Sequence, residues 1–184
     1  MTRVAINGFG RIGRRVFRLL LAHPTIEVVA INDLAGTKTL AHLLKYDSIH
    51  GTLKRTISSD DKHIILDDLA IPVLNNTHLK DLNWTPYNVD IVIEATGEFK
   101  TKNDLIHHIN NGASKVILSV PPTDDSLKTI VLGVNDDLLN SEDTIISNAS
   151  CTTNNAAPML SIINELCGID QAYITTVHSY TTDQ

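Results

Sequence analysis

"RVAINGFGRIGRRVFRLLLAH", residues 3–23, decides how the rest of the chain is read. RVAING is a short apolar run of strand character, and a glycine turn follows it. Ile12, Val16, Leu19 and Leu20 then recur at helical spacing until Pro24 stops the pattern. Gly8-Phe9-Gly10-Arg11-Ile12-Gly13 fits G-x-G-x-x-G. Alone that pattern is weak. Here it follows a strand and opens a helix, and Asp33 ends the next strand, IEVVAIND, twenty residues after Gly13. In that setting a helix N-terminus receives the pyrophosphate of a dinucleotide. Gly8 permits the tight turn, Gly10 lets the backbone approach the phosphates, and Gly13 lets helix and strand pack closely. Asp33 would accept hydrogen bonds from the adenosine ribose. A 2′-phosphate there would meet a carboxylate, with no arginine in the next few residues to offset it, so NAD is favoured over NADP. A glycine-rich turn with a surface aspartate is the bland alternative. It requires strand, helix and spacing to coincide by chance.

Outward from this unit the alternation continues. Residues 37–45 read as a second helix. Between Gly51 and Leu74 the text changes to short strand-like runs, TLKRTIS, KHIILD and LAIPVL, separated by polar turns, which predicts an antiparallel insertion. VDIVIEAT is again a β-branched strand, KNDLIHHINNG a helix stopped at Gly112, and KVILSV a strand closed by Pro121-Pro122. TIVLGV and TIISNAS read as two more strands, residues 152–167 as a helix, and 170–184 as β-rich. Strands alternating with helices argue for an α/β fold with a doubly wound parallel sheet, whose ligands sit at the carboxyl ends of the strands.

Composition narrows the function. The chain has 184 residues, 42% apolar and 20% charged, with a formal net charge of −6. That balance carries no electrostatic footprint for nucleic acid or an anionic membrane. No apolar run is long enough for a bilayer, and the N-terminus enters a strand with no secretory leader pattern. Cys151 and Cys167 are too few for a disulfide framework or a zinc knuckle, so a reducing cytoplasm is the default compartment. His107 and His108 are adjacent, point different ways on a helix and make a poor metal pair, so no metal site is expected.

Cys151 opens the 152–167 helix, where free N–H groups and the helix dipole favour a thiolate. Free cysteine is usually buried, yet Ser150, Thr152, Thr153 and Asn154 are polar surroundings for a core position. Cys167 ends an apolar helical face and reads as core. His178, inside TTVHSYT, stands where an alternating strand would carry another apolar residue. A thiol activated by a histidine is a recognised nucleophile arrangement. Three functions remain open at this point: a dehydrogenase, a nucleotide-binding module that associates through an unpaired strand at 172–180, and a cysteine hydrolase or acyl transferase without NAD. The glycine fingerprint with Asp33 argues against the third.

Six segments together resemble phosphorylating glyceraldehyde-3-phosphate dehydrogenase of glycolysis: INGFGRIGR (6–14), NDL (32–34), HLLKYDSIHG (42–51), ATGEF (95–99), SNASCTTN (147–154) and TTVHSYTTDQ (175–184). Erythrose-4-phosphate dehydrogenase shares much of this, but NDL and HSYT look like the glyceraldehyde-phosphate branch. The resemblance implies a Rossmann-type NAD-binding domain over 1–150 and the beginning of an α+β catalytic domain over 151–184. It implies that Cys151 attacks the aldehyde of glyceraldehyde 3-phosphate, that His178 serves as base, and that inorganic phosphate releases the resulting thioester as 1,3-bisphosphoglycerate. Ser150, Thr152 and Thr181 would contact substrate or phosphate, and Arg11, Ile12, Asp33, Thr96, Gly97 and Ser119 would line the NAD cleft. A homotetramer is the implied assembly. Asn155 stands where members usually carry a second cysteine, and Thr77 where many carry an arginine near the adenine. Members are also longer, with a complete catalytic domain beyond this point. The expectation is a chain that binds NAD weakly and turns over poorly or not at all.

Overall fold

The computed structural model describes residues 1–179. Among these residues nine strands form one sheet in the order β3-β4-β5-β2-β1-β6-β7-β9-β8. Its centre is parallel: β1 (Thr2–Asn7), β2 (Ile26–Asn32), β6 (Ile91–Glu94), β7 (Lys115–Leu118), β8 (Lys128–Thr129) and β9 (Ile145–Ser147). The insertion is antiparallel: β3 (Ile57–Ser59) pairs with β4 (His63–Leu66), and β4 with β5 (Leu69–Leu74). β5 also joins the main sheet, pairing parallel with β2 through Ile31–Val73 and Asn32–Leu74. The hairpin therefore prolongs the sheet and covers its edge.

Strand alternation divides the apolar side chains into two cores. Val4 and Ile6 of β1 face Phe17 of α1 (Arg11–Leu20) and Leu40 and Leu44 of α2 (Thr37–Lys45). Ala5 faces the other way, into the layer holding Trp84, Val92, Val116 and Leu105 of α3 (Lys102–Asn110). Between Val4 and Ala5 the register with β2 slips, with Val4 opposite Val28 and Ala5 opposite Ala30. The extra residue is Val29, and so Val29 and Ala30 share one core although they are consecutive. Helices on both faces and a buried central sheet make the doubly wound α/β fold that the alternation predicted.

Three local expectations fail. TIVLGV is not a strand throughout: only Lys128 and Thr129 pair with β9. Val134 and Asn135 then donate back to the Val131 carbonyl, and the Asn135 side chain accepts from the Val131 N–H, so the backbone turns on itself. Gly133, at φ 79°, makes that turn possible. The β-rich reading of 170–184 is not realised over 171–179, which form no strand and lie exposed. A strand needs a partner for its backbone groups, and none is present among the described residues. Cys167 is exposed rather than core. It ends α4 (Cys151–Cys167), a helix that buries none of its residues, so Met159, Ile162, Ile163 and Leu166 are exposed with it.

Candidate functional site

Two clefts carry several of the side chains singled out in the sequence, whereas Arg11, Ile12, Gly13, Gly97, Ser119 and Ser150 line neither. The first, about 560 Å³, opens at the carboxyl ends of β1, β2 and β6 and is lined by Gly8, Gly10, Asp33, Thr77, Thr96 and neighbours. Gly8 has φ 89°, and a Cβ there would lie 2.6 Å from the Thr96 backbone nitrogen. A Cβ on Gly13 would lie 2.1 Å from the Gly8 carbonyl oxygen, so α1 can approach β1 this closely only with glycine at that position. Gly10 faces open space and caps α1 without a side-chain hydrogen bond. The first-turn N–H groups of α1 therefore remain available to an anion.

Asp33 does two jobs across from them. Its carboxylate accepts from the Phe9 N–H at 2.7 Å and from the Ala35 N–H at 2.9 Å, tying the glycine turn to the end of β2. Asp33 also lines the cleft, and each of its carboxylate oxygens keeps a lone pair beyond these contacts, as acceptance from a ribose diol requires. Arg14 donates to the Phe9 carbonyl from below, and burial lowers its pKa although Asp47 and Asp33 act to raise it. An uncapped helix end, an open Gly10 and a carboxylate lining the cleft fit a dinucleotide.

Arg11 and Ile12 are exposed on the first turn of α1 beside Gly10. Gly97, at φ 75°, follows Thr96 in the turn after β6. Ser119 is not among the lining residues, and its Oγ is buried without a hydrogen-bond partner among the described residues.

The second cleft, about 410 Å³, is lined by Cys151, Thr152, Asn155, Thr176, His178 and neighbours. After β9 the Ser147 hydroxyl donates to the Val120 carbonyl and accepts from the Ala149 N–H, and Ala149 takes the left-handed φ of 59°. This sharp turn sets Ser150 as N-cap of α4, its hydroxyl accepting from the Thr153 N–H at 2.9 Å. Cys151 is thus the first helical residue, with its thiol exposed. His178 is in the same cleft, but its Nε2 bonds the Thr152 hydroxyl at 2.9 Å, and no hydrogen bond joins it to Cys151 among the described residues. Asn155 lies on the same wall. Thr181 lies outside the described residues. Among the described residues no three His, Cys, Asp or Glu side chains converge as a metal cluster, and no helix is long and apolar enough to cross a membrane.

Sequence reading missed the polar floor of the first cleft. Asn7, Asn32 and Glu94 are buried, stand in register at the ends of β1, β2 and β6, and bond to one another and to buried His108. The signal was present: three apolar strands each end on a polar residue, although their adjacency was not visible.

Fold and cleft together define an α/β protein of the dinucleotide-binding class. The family model described as "Glyceraldehyde 3-phosphate dehydrogenase, NAD binding domain" matches residues 2–102, and the model of that family's C-terminal domain matches residues 150–184. The chain belongs to the glyceraldehyde 3-phosphate dehydrogenase family, an oxidoreductase family, and its nucleotide cofactor is NAD. It is 46% identical to glyceraldehyde-3-phosphate dehydrogenase 1 of Bacillus cereus over all of its own length and 55% of that protein's. It is 48% identical to the Thermotoga maritima enzyme of that name (100% and 56% covered) and 50% identical to glyceraldehyde-3-phosphate dehydrogenase 2 of Streptomyces avermitilis (99% and 55%). The chain thus spans about half the length of the curated relatives it matches.

Proposed function

We propose that this chain carries the NAD-binding domain and the nucleophile of a phosphorylating glyceraldehyde-3-phosphate dehydrogenase of glycolysis. Residues 1–150 form the NAD-binding domain and 151–184 begin the catalytic domain, a division that the separate family matches over 2–102 and 150–184 support. The observation that carries the reading is an exposed Cys151 at the first position of α4, sharing a cleft with His178.

The Cys151 sulfur adds to the aldehyde carbon of glyceraldehyde 3-phosphate, giving a thiohemiacetal, and the helix end favours the thiolate that begins the attack. His178 takes the hydroxyl proton of that adduct as C–H is oxidised. Bound NAD supplies the hydride acceptor. The product of oxidation is a thioester on Cys151; inorganic phosphate attacks its carbonyl carbon, the C–S bond breaks to return the thiolate, and the acyl group leaves as 1,3-bisphosphoglycerate. Ser150, Thr152 and Thr181 contact substrate or phosphate in this scheme. Gly8, Gly10, Arg11, Ile12, Gly13, Asp33, Thr96, Gly97 and Ser119 serve NAD. His178 must exchange its Thr152 partner for the substrate hydroxyl, a rotation within one cleft. The assembly is a cytoplasmic homotetramer.

A second reading has its own support. α4 buries none of its residues, which supports reading the 184-residue chain taken alone as a nucleotide-binding module without turnover. A phosphate-dependent rise in reduced-nicotinamide absorbance with glyceraldehyde 3-phosphate separates the two. Turnover by this polypeptide favours the first reading, whereas NAD binding without turnover favours the second for the isolated chain. Turnover that persists without phosphate excludes the phosphorylating scheme.

A further inference from the structure

The floor of the NAD cleft is a hydrogen-bonded row whose direction is set at both ends. At one end the Asn76 backbone orients Asn32: the Asn76 N–H donates to Asn32 Oδ1 at 2.9 Å, and Asn32 Nδ2 donates to the Asn76 carbonyl at 3.0 Å. Asn32 Nδ2 also donates to Asn7 Oδ1 at 2.7 Å, so the amide nitrogen of Asn7 must face Glu94, at 2.5 Å. At the other end the Trp84 indole, which can only donate, meets His108 Nδ1 at 3.0 Å. Nδ1 therefore carries no proton, and the ring's hydrogen lies on Nε2, directed at Glu94 Oε2 at 3.0 Å. The geometry makes this a neutral histidine donating to a carboxylate rather than an ion pair.

Two donors converge on Glu94 Oε2, and two more reach Oε1: the Thr96 N–H at 2.9 Å and the Thr96 hydroxyl at 2.5 Å. Four donors fill the four lone-pair positions of a carboxylate and leave no place for a proton. Glu94, Asn7 and His108 are all 0% exposed. Only an ionised carboxylate satisfies a row that presents donors from both sides.

We propose that Glu94 is a positioning residue for NAD: its buried carboxylate holds the Thr96–Glu98 turn and, through Asn7 and Asn32, the Asn76–His78 segment, two stretches that contribute to the lining of the cleft. The turn is coupled further because the Glu98 N–H donates to the Thr96 hydroxyl at 3.1 Å. Both segments line the cleft. The proposal rests on NAD as the occupant of that cleft.

E94Q isolates the claim. A glutamine has one accepting oxygen, which can take two hydrogen bonds, and one NH2 that only donates, and the ends of the row prevent Asn7 and His108 from reversing. Its NH2 must therefore turn toward Thr96, where it opposes a backbone N–H that can only donate. Loss of that charge-assisted contact is expected to raise the NAD dissociation constant about tenfold in calorimetric titration of the 184-residue chain. In hydrogen exchange the Thr96 amide loses protection while the Trp84 indole N–H keeps it, a localised change that general destabilisation would not give. E94Q affinity within about twofold of the unsubstituted chain overturns the proposal, as does parallel loss of protection at Thr96 and Trp84. If E94Q fails to fold, the unsubstituted chain decides: slow exchange of the Thr96 amide before NAD is added supports preorganisation, and free exchange overturns it. An unsubstituted chain that binds no NAD overturns the assignment of the cleft itself, a result distinct from unchanged affinity in E94Q.

Discussion

Cys151 and Gly13 show how much a single position carries. The thiol of Cys151 is exposed, and no hydrogen bond involving it is present among the described residues. Cys151→Ser should abolish turnover in any form of the protein that has it and leave NAD affinity within about twofold. Loss of both would make the cysteine a structural residue. Gly13 is a position of contact rather than chemistry. Gly13→Ala places a methyl against a backbone carbonyl that no rotamer change can move, so α1 must lift from β1. The cost is about 1–3 kcal/mol in urea denaturation, together with weaker NAD binding because the uncapped end of α1 shifts. Denaturation curves that coincide with the parent's would show that the helix was never so close.

Helices hold their places by their ends as much as by their faces. α3 begins at Thr101, whose hydroxyl accepts from the Asp104 N–H at 3.2 Å and donates to the Asp104 carboxylate at 2.6 Å. Thr101→Ala should lower stability by about 1 kcal/mol, read as a shift of the urea midpoint with unchanged slope. The same change should leave α1 and the glycine turn undisturbed, since they lie in the other core. The cap follows directly from a threonine three residues before an aspartate at the head of an apolar period. α4 is the opposite case: its start, capped by Ser150, is well made, but its apolar stripe is left exposed. Periodicity shows that a stripe exists without showing what covers it.

Across the whole molecule, several surface carboxylates are held below their ordinary pKa. Hydrogen bonds from the backbone of His50 and Ile49 do this for Asp47, the Lys62 backbone and His63 side chain for Asp60, Ser126 for Asp124, and Lys128 with the Asn140 backbone for Asp143. A depressed folded-state value means that the unfolded chain binds protons first as pH falls. The stability these groups contribute is therefore complete above the ordinary value of 3.8 and disappears as pH drops below it through the folded-state values. The share of thermal stability that these four carboxylates carry should accordingly be insensitive to pH near neutrality and fall away in acid. Asp143→Asn should lower the midpoint near neutral pH, with the gap from the parent closing below 3.8. A gap that persists unchanged in acid would show that Asp143 acts through packing rather than charge.

Local chemistry alone determined the parallel centre of the sheet, the glycine turn with Asp33 and the polar start of α4, because turn residues, caps and apolar periods act over a few positions. The early end of β8, the join of β5 to β2 and the exposure of Cys167 were decided only in three dimensions, because pairing and burial depend on which segments arrive beside one another. The buried carboxylate of Glu94 belongs to the same group. Its four donors come from Asn7, Thr96 and His108, and only the packing of β1, β6 and α3 brings them to one point.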